Sequence, residues 1–272
     1  MRALADCAAV GTLGLAIVPM LDTARRRDEV GAAAAGPLVV VSAAWFVAEV
    51  VRQIVAAAAT AGVSATGLPV HTVVEFTLRT MAGRAGVVSI AAAAVVCALA
   101  ATCRRSTALG IATAGAAVVG IAARAVSGHL SENNWGALAV AVHALAAALW
   151  CGGLAALVVT IRHRGQWARM LPRFSQLSLA CVVALAVSGG FGAVLAGGAP
   201  AHWYASSYGR LLLAKVVLLA ALVILAWRNR TIWLPAARAH HASAVRSQRR
   251  SLVELAVMAV ALTIAAALSV TG

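Results

Sequence analysis

Twenty-three consecutive residues, Ala137–Val159 (ALAVAVHALAAALWCGGLAALVV), contain no Asp, Glu, Lys or Arg. At ~1.5 Å rise per residue, a helix of that length crosses the ~30 Å hydrocarbon core of a bilayer. Its apolar residues show no strand-like alternation, so the reading is helical. Two features place this helix inside a bundle. Ala144, Ala148, Gly152 and Ala156 recur every fourth residue, a stripe that lets a second backbone approach closely. His143 and Trp150, seven residues apart, share one face. Few histidines sit within a membrane without a partner or a task.

The rest of the chain repeats this pattern. Hydrophobic residues make up 62% of its 272 positions and charged residues only 11%. Soluble domains carry roughly a quarter charged residues, so a polytopic membrane protein is expected. Eight apolar segments are each near span length: Leu4–Leu21, Pro37–Thr60, Gly83–Thr102, Thr107–Val126, Gly136–Thr160, Phe174–Gly197, Gly209–Trp227 and Leu252–Val270. The first leads straight into further spans, so no cleavable signal peptide is expected. The fold class is therefore all-α, a transmembrane bundle of about eight spans. A weak parallel repeat divides it into four-span halves, 1–126 and 127–272. Thr80-Met-Ala-Gly-Arg84 opens span 3 as Ser206-Ser-Tyr-Gly-Arg210 opens span 7.

The formal charge of +14 would suggest nucleic acid in a soluble chain. Here fifteen of the 22 basic residues fall in the loops after spans 1, 3, 5 and 7. That bias is a topology signal. By the positive-inside rule those loops are cytoplasmic and both termini lie outside. The lipid bilayer, not nucleic acid, is the expected partner. Trp135 and Trp203 at outer span ends, with Trp167, Trp227 and Trp233 at inner ones, read as interfacial belts.

In this topology His71, His129 and His202 lie in or beside outer loops, and His143 about two helical turns below that surface. Neutral imidazoles around an outer vestibule suit a borderline metal such as copper or zinc. The plainer alternative is solvated loop histidines and a His143 that hydrogen-bonds a neighbouring helix. Span 2 carries Glu49 and Arg52 three residues apart, either a structural pair that neutralises itself in the bundle or part of a proton or cation relay. Lys215, near the outer end of span 7, either snorkels outward or tunes the vestibule's charge. Cys151 and Cys181 are soft ligands along a copper path or small apolar fillers. The five cysteines form no Cys-x-x-Cys pair, the five methionines no Met-x-x-Met cluster. No phosphate-binding glycine loop, hydrolytic triad spacing or carboxylate-rich site is present, so an enzyme is not expected.

Several of these residues sit in motifs that together resemble the CopD family of bacterial copper-resistance membrane proteins. These are Ser127-Gly-His-Leu130, Val142-His-Ala-Leu-Ala-Ala-Ala-Leu-Trp-Cys-Gly-Gly153, Arg173-Phe-Ser175, Ser188-Gly189, Tyr208-Gly-Arg-Leu-Leu-Leu-Ala-Lys215 and Arg250-Ser-Leu-Val-Glu254. The resemblance implies a multi-pass protein of the bacterial plasma (inner) membrane that handles copper ions. It also implies copper movement from the periplasmic side inward, with a periplasmic copper carrier or oxidase assembly factor as partner. His129 and His143 are the first-contact candidates, His71 and His202 the weaker ones, with Glu49, Arg52 and Lys215 tuning charge. Two rivals stand: a membrane redox protein holding b-type haem between histidines of two spans, and a non-transporting partner in oxidase copper loading.

Overall fold

A computed structural model describes residues 2–102, 106–127 and 134–195, with eight further positions between 213 and 231. Among the described residues the chain is all-helical, without strands. The helices are α1 (Arg2–Ile17), extended by a single 3₁₀ turn to Leu21, α2 (Arg27–Ala61), α3 (Val70–Arg79), α4 (Met81–Ala101), α5 (Thr107–Ala125), α6 (Asn134–Thr160) and α7 (Arg164–Leu195). All except the ten-residue α3 are long and apolar enough to cross a membrane. These six correspond to the first six expected spans. The seventh and eighth lie outside the described residues, apart from helical positions between Leu213 and Trp227.

Two spans begin earlier than the sequence suggested, for one reason. Span 2 was expected to start at Pro37 and span 6 at Phe174, just after Pro172, yet both prolines lie inside helices. A proline within a helix forfeits one backbone hydrogen bond, and membrane helices tolerate it when neighbours satisfy the freed group. Asp28 and Glu29 stabilise the early start of α2, since acids in a first turn favour the positive end of the helix dipole. At its other end, α2 stops at Gly62, whose φ of 68° closes the helix by donating to the Ala58 and Ala59 carbonyls.

Helix α1 is the hub, packed against α2, α5 and α6, while α7 lies against α6 and α4 bridges α2 and α5. The α1–α6 contact is backbone to backbone. A Cβ on Gly14 would collide with the Gly152 carbonyl, and one on Gly152 with the Val10 carbonyl. Gly152 belongs to the expected small-residue stripe, whose Ala148 and Ala156 are also buried. Trp45 of α2 fills the space between α4 and α5, its ring within 2.8 Å of where a Gly120 Cβ would stand. Trp150 is equally enclosed. Trp167 is buried in the α6–α7 core and so is not part of an interfacial belt, whereas Trp135 and Trp227 are exposed.

At the basic end of the bundle, Asp22 holds α1 to α7. Its carboxylate accepts from Arg169 Nε (3.2 Å) and Nη2 (3.1 Å), and Arg173 donates to the Asp22 and Leu21 carbonyls. Burial alone would raise the Asp22 pKa. Hydrogen bonds from Arg169 and the Thr23 amide, with the charges of Arg169 and Arg173, outweigh it and hold the carboxyl below its ordinary value. Arg169 and Arg173 are thus helical residues with a structural partner, where the sequence suggested loop charges.

Candidate functional site

The N-terminal ends of α1, α4 and α6 and the C-terminal ends of α2, α5 and α7 share the face opposite the basic loops. Near this face lie two polar centres.

The first is an ion network linking α1, α2, α4 and α5. Glu49 is 1% exposed in the middle of an apolar bundle. Its Oε2 accepts from Arg124 Nε at 2.8 Å and also from Arg124 Nη2. Arg52 Nη1 lies 3.5 Å from Glu49 Oε1 but only 2.9 Å from Asp6 Oδ1. The expected Glu49–Arg52 pair is therefore present but weak. The principal partner of Glu49 is Arg124, and that of Arg52 is Asp6. Two carboxylates and two guanidiniums make the network neutral, which low-dielectric surroundings demand. Gln53, one turn further along α2, donates to the Gly83 carbonyl (3.0 Å) and Thr77 Oγ1 (3.3 Å). Its Oε1 rests where a Gly86 Cβ would be. The sequence signal for Arg124 was its place inside span 4, two residues before its end. Asp6 had a comparable signal in the first two turns of α1.

The second centre lies between α6 and α7. His143 enters α6 nine residues below Asn134, about 14 Å along the axis. Its Nδ1 is 3.1 Å from Ser188 Oγ of α7, and Gly189 brings the α7 backbone against the imidazole. Ser188 has one hydroxyl proton, and its Oγ lies 2.6 Å from the Ala184 carbonyl. The serine therefore donates to that carbonyl and accepts from His143 Nδ1–H. This assigns the tautomer from hydrogen-bond logic and leaves the ring's lone pair on Nε2. A ligating histidine is usually held this way, with its second nitrogen donating to an outer partner.

The remaining candidates divide by position. His71 is exposed in the first turn of α3, on the same face as these centres. His129, His202 and Lys215 lie outside the described residues. Cys181 is buried in the α6–α7 core with Cys151 packed against it, and the described cysteines are free thiols. Among the described residues no three His, Cys, Asp or Glu side chains converge as a metal site. His143 is the only described histidine within a span; His163 lies between α6 and α7.

No curated protein and no solved structure gives a significant match to this chain. A protein-family comparison does, and the matched segment begins in α7, taking in Arg169, Arg173 and Ser188. The family similarity of this chain is to copper resistance protein D, CopD, over residues 168–268.

Proposed function

We propose that this chain binds copper ions at the face opposite its basic loops and passes them across the bacterial plasma membrane, a non-enzymatic contribution to copper resistance. The observation that carries the reading is His143 held against Ser188–Gly189. Its Nδ1 is within hydrogen-bond distance of Ser188 Oγ, and that serine lies in the CopD-matched segment; in this reading Nε2 is the nitrogen that takes copper. His129 is the second ligand in this reading, and His71 and His202 supply weaker outer contacts. The positive-inside bias supports an extracytoplasmic vestibule with both termini outside. The neutral Asp6–Arg52–Glu49–Arg124 network keeps fixed charge balanced beside the path of a cation, with Lys215 as a further charge-tuning group. A periplasmic copper carrier is the natural donor, and an oxidase assembly factor the natural neighbour. The b-type haem alternative needs a second histidine within a span, and the described residues offer only His143.

The test is the copper content of the detergent-purified protein, wild type beside His143→Ala and the double variant His129→Ala/His143→Ala. Stoichiometric copper that is lost in the double variant, with copper-dependent uptake abolished and membrane insertion intact, is the expected result. Unchanged copper binding and uptake in His143→Ala would overturn the site. A Soret band in the purified protein would favour the haem alternative.

A further inference from the structure

At the basic end of the bundle, a crevice of about 510 Å³ opens between α1, α2, α4 and α5. Its cause is legible in α2, where Gly31-Ala-Ala-Ala-Ala-Gly36 supplies no bulky side chain over nearly two turns. A Cβ added at Gly31 or Gly36 would meet nothing within 4 Å. Leu15, Leu38, Leu99 and Leu109 supply apolar walls. The crevice follows α2 from Arg27 to Val39, about 18 Å at the helical rise. That length is close to the ~15 Å that one leaflet contributes to the hydrocarbon core.

The mouth carries the opposite chemistry. Arg27 lines it, donating from Nη1 to Thr107 Oγ1 at 3.1 Å, while its Nε is buried without a partner among the described residues. Exposed Arg25 and Arg26 precede it. Asp28 and Glu29 follow in the first turn of α2, and Asp28 also lines the crevice. A buried, unanswered guanidinium N–H calls for an acceptor, and a phosphodiester oxygen is a strong one. An apolar slot one leaflet deep beneath such a donor matches one molecule: a lipid with an anionic head.

We propose that this crevice holds one acyl chain of an anionic phospholipid from the leaflet on the basic side, with the lipid's phosphodiester on Arg27. The site is independent of the copper reading. Phosphatidylglycerol and phosphatidylcholine both present a phosphodiester, but only the first carries net negative charge. A basic residue near the membrane surface favours an anionic lipid on the order of fivefold.

The test uses the full-length protein in mild detergent, titrated with phosphatidylglycerol or phosphatidylcholine of identical chains and followed by native mass spectrometry. Inorganic phosphate serves as the head-group control. Wild type should retain one phosphatidylglycerol about fivefold in preference to phosphatidylcholine, and phosphate should not displace it. Gly31→Leu, which fills the slot, should lose both lipids, whereas Gly115→Leu, also in open space but on α5 away from the crevice, should lose neither. Arg27→Gln should retain lipid without the preference, which tests the head-group contact even if Gly31→Leu fails to fold. Equal binding of the two lipids by wild type, or undiminished phosphatidylglycerol in folded Gly31→Leu, would overturn the proposal. Displacement by phosphate alone would do the same, because it would leave the chain without a role.

Discussion

Arg124→Leu is the substitution that most directly tests the reading of the bundle's polar interior. Glu49 is 1% exposed, and two of the three N–H groups that reach it come from Arg124. The third, from Arg52, is at 3.5 Å and too long to compensate. Removing Arg124 leaves a buried carboxylate nearly unanswered, a change that costs about 3–5 kcal/mol. Asp6→Asn removes an ion pair whose acid is 59% exposed, and should cost at most ~1 kcal/mol. Glu49→Leu/Arg124→Leu removes both buried charges together and leaves Arg52 with Asp6, so it should recover most of the loss, as exchange of a buried pair for apolar side chains often does. The assay is equilibrium unfolding in mixed micelles, read as a double-mutant cycle. A loss in Arg124→Leu no larger than in Asp6→Asn, or additive losses in the double variant, would refute the network.

Other expectations follow from the same geometry. Gly152→Ala places one methyl on the Val10 carbonyl and should destabilise by about 1–3 kcal/mol in the same unfolding assay; Gly115→Ala, in open space, should be neutral or gain up to ~1 kcal/mol from helix propensity. Asp22 has a folded pKa below its ordinary value, so its contribution is complete above about pH 3.9 and is lost as pH falls through the lower folded value. Asp22→Asn should therefore be less stable than wild type at neutral pH, and the gap should close in thermal melts taken below that point. Ser188→Ala removes the acceptor that fixes the His143 tautomer and should weaken copper binding about 10–100-fold by competitive titration, leaving expression unchanged.

The reach of the sequence depended on whether a property was local. Spans were readable because apolar length is a local quantity, and the α1–α6 seam because Ala144, Ala148, Gly152 and Ala156 repeat at helical spacing. The starts at Pro37 and Phe174 were set too late because a helix boundary in lipid depends on whether a neighbour satisfies the carbonyl that a proline frees, at Pro37 and Pro172 alike. The pairing of Glu49 was legible only in part, for a similar reason. Arg52 is the sequence neighbour three residues on, but Arg124 approaches from a helix 75 positions away. Nothing in the sequence states which guanidinium arrives first. His143 could be singled out from its span, yet its orientation required Ser188, 45 residues further, and Ser188's own bond to Ala184.

The position of α1 explains how the CopD-matched segment is tied to the rest of the chain. Its N-terminal end is joined to α2 through Asp6 and Arg52, its middle to α6 through Gly14 and Gly152, and the turn after it to α7 through Asp22. The matched segment begins at residue 168, and its first two arginines in the sequence, Arg169 and Arg173, are the ones that grip Asp22 and the Leu21–Asp22 backbone. That contact joins the matched segment to the first helix of the chain rather than to its immediate predecessor. The described start of the matched segment consequently shares one packing centre with α1. Among the described residues, a displacement of α7 at Ser188 can reach the N-terminal helices through α6, which packs on the glycine seam of α1 and on α5, or along α7 to Asp22. Asp22→Asn weakens the second, removing the ion pair with Arg169 while the Arg173 bonds to the Leu21 and Asp22 carbonyls persist, and leaves the first. Copper affinity measured in Asp22→Asn beside Ser188→Ala therefore separates anchoring of α7 from orientation of His143: if anchoring sets the site, both lose affinity, and if orientation alone sets it, only Ser188→Ala does.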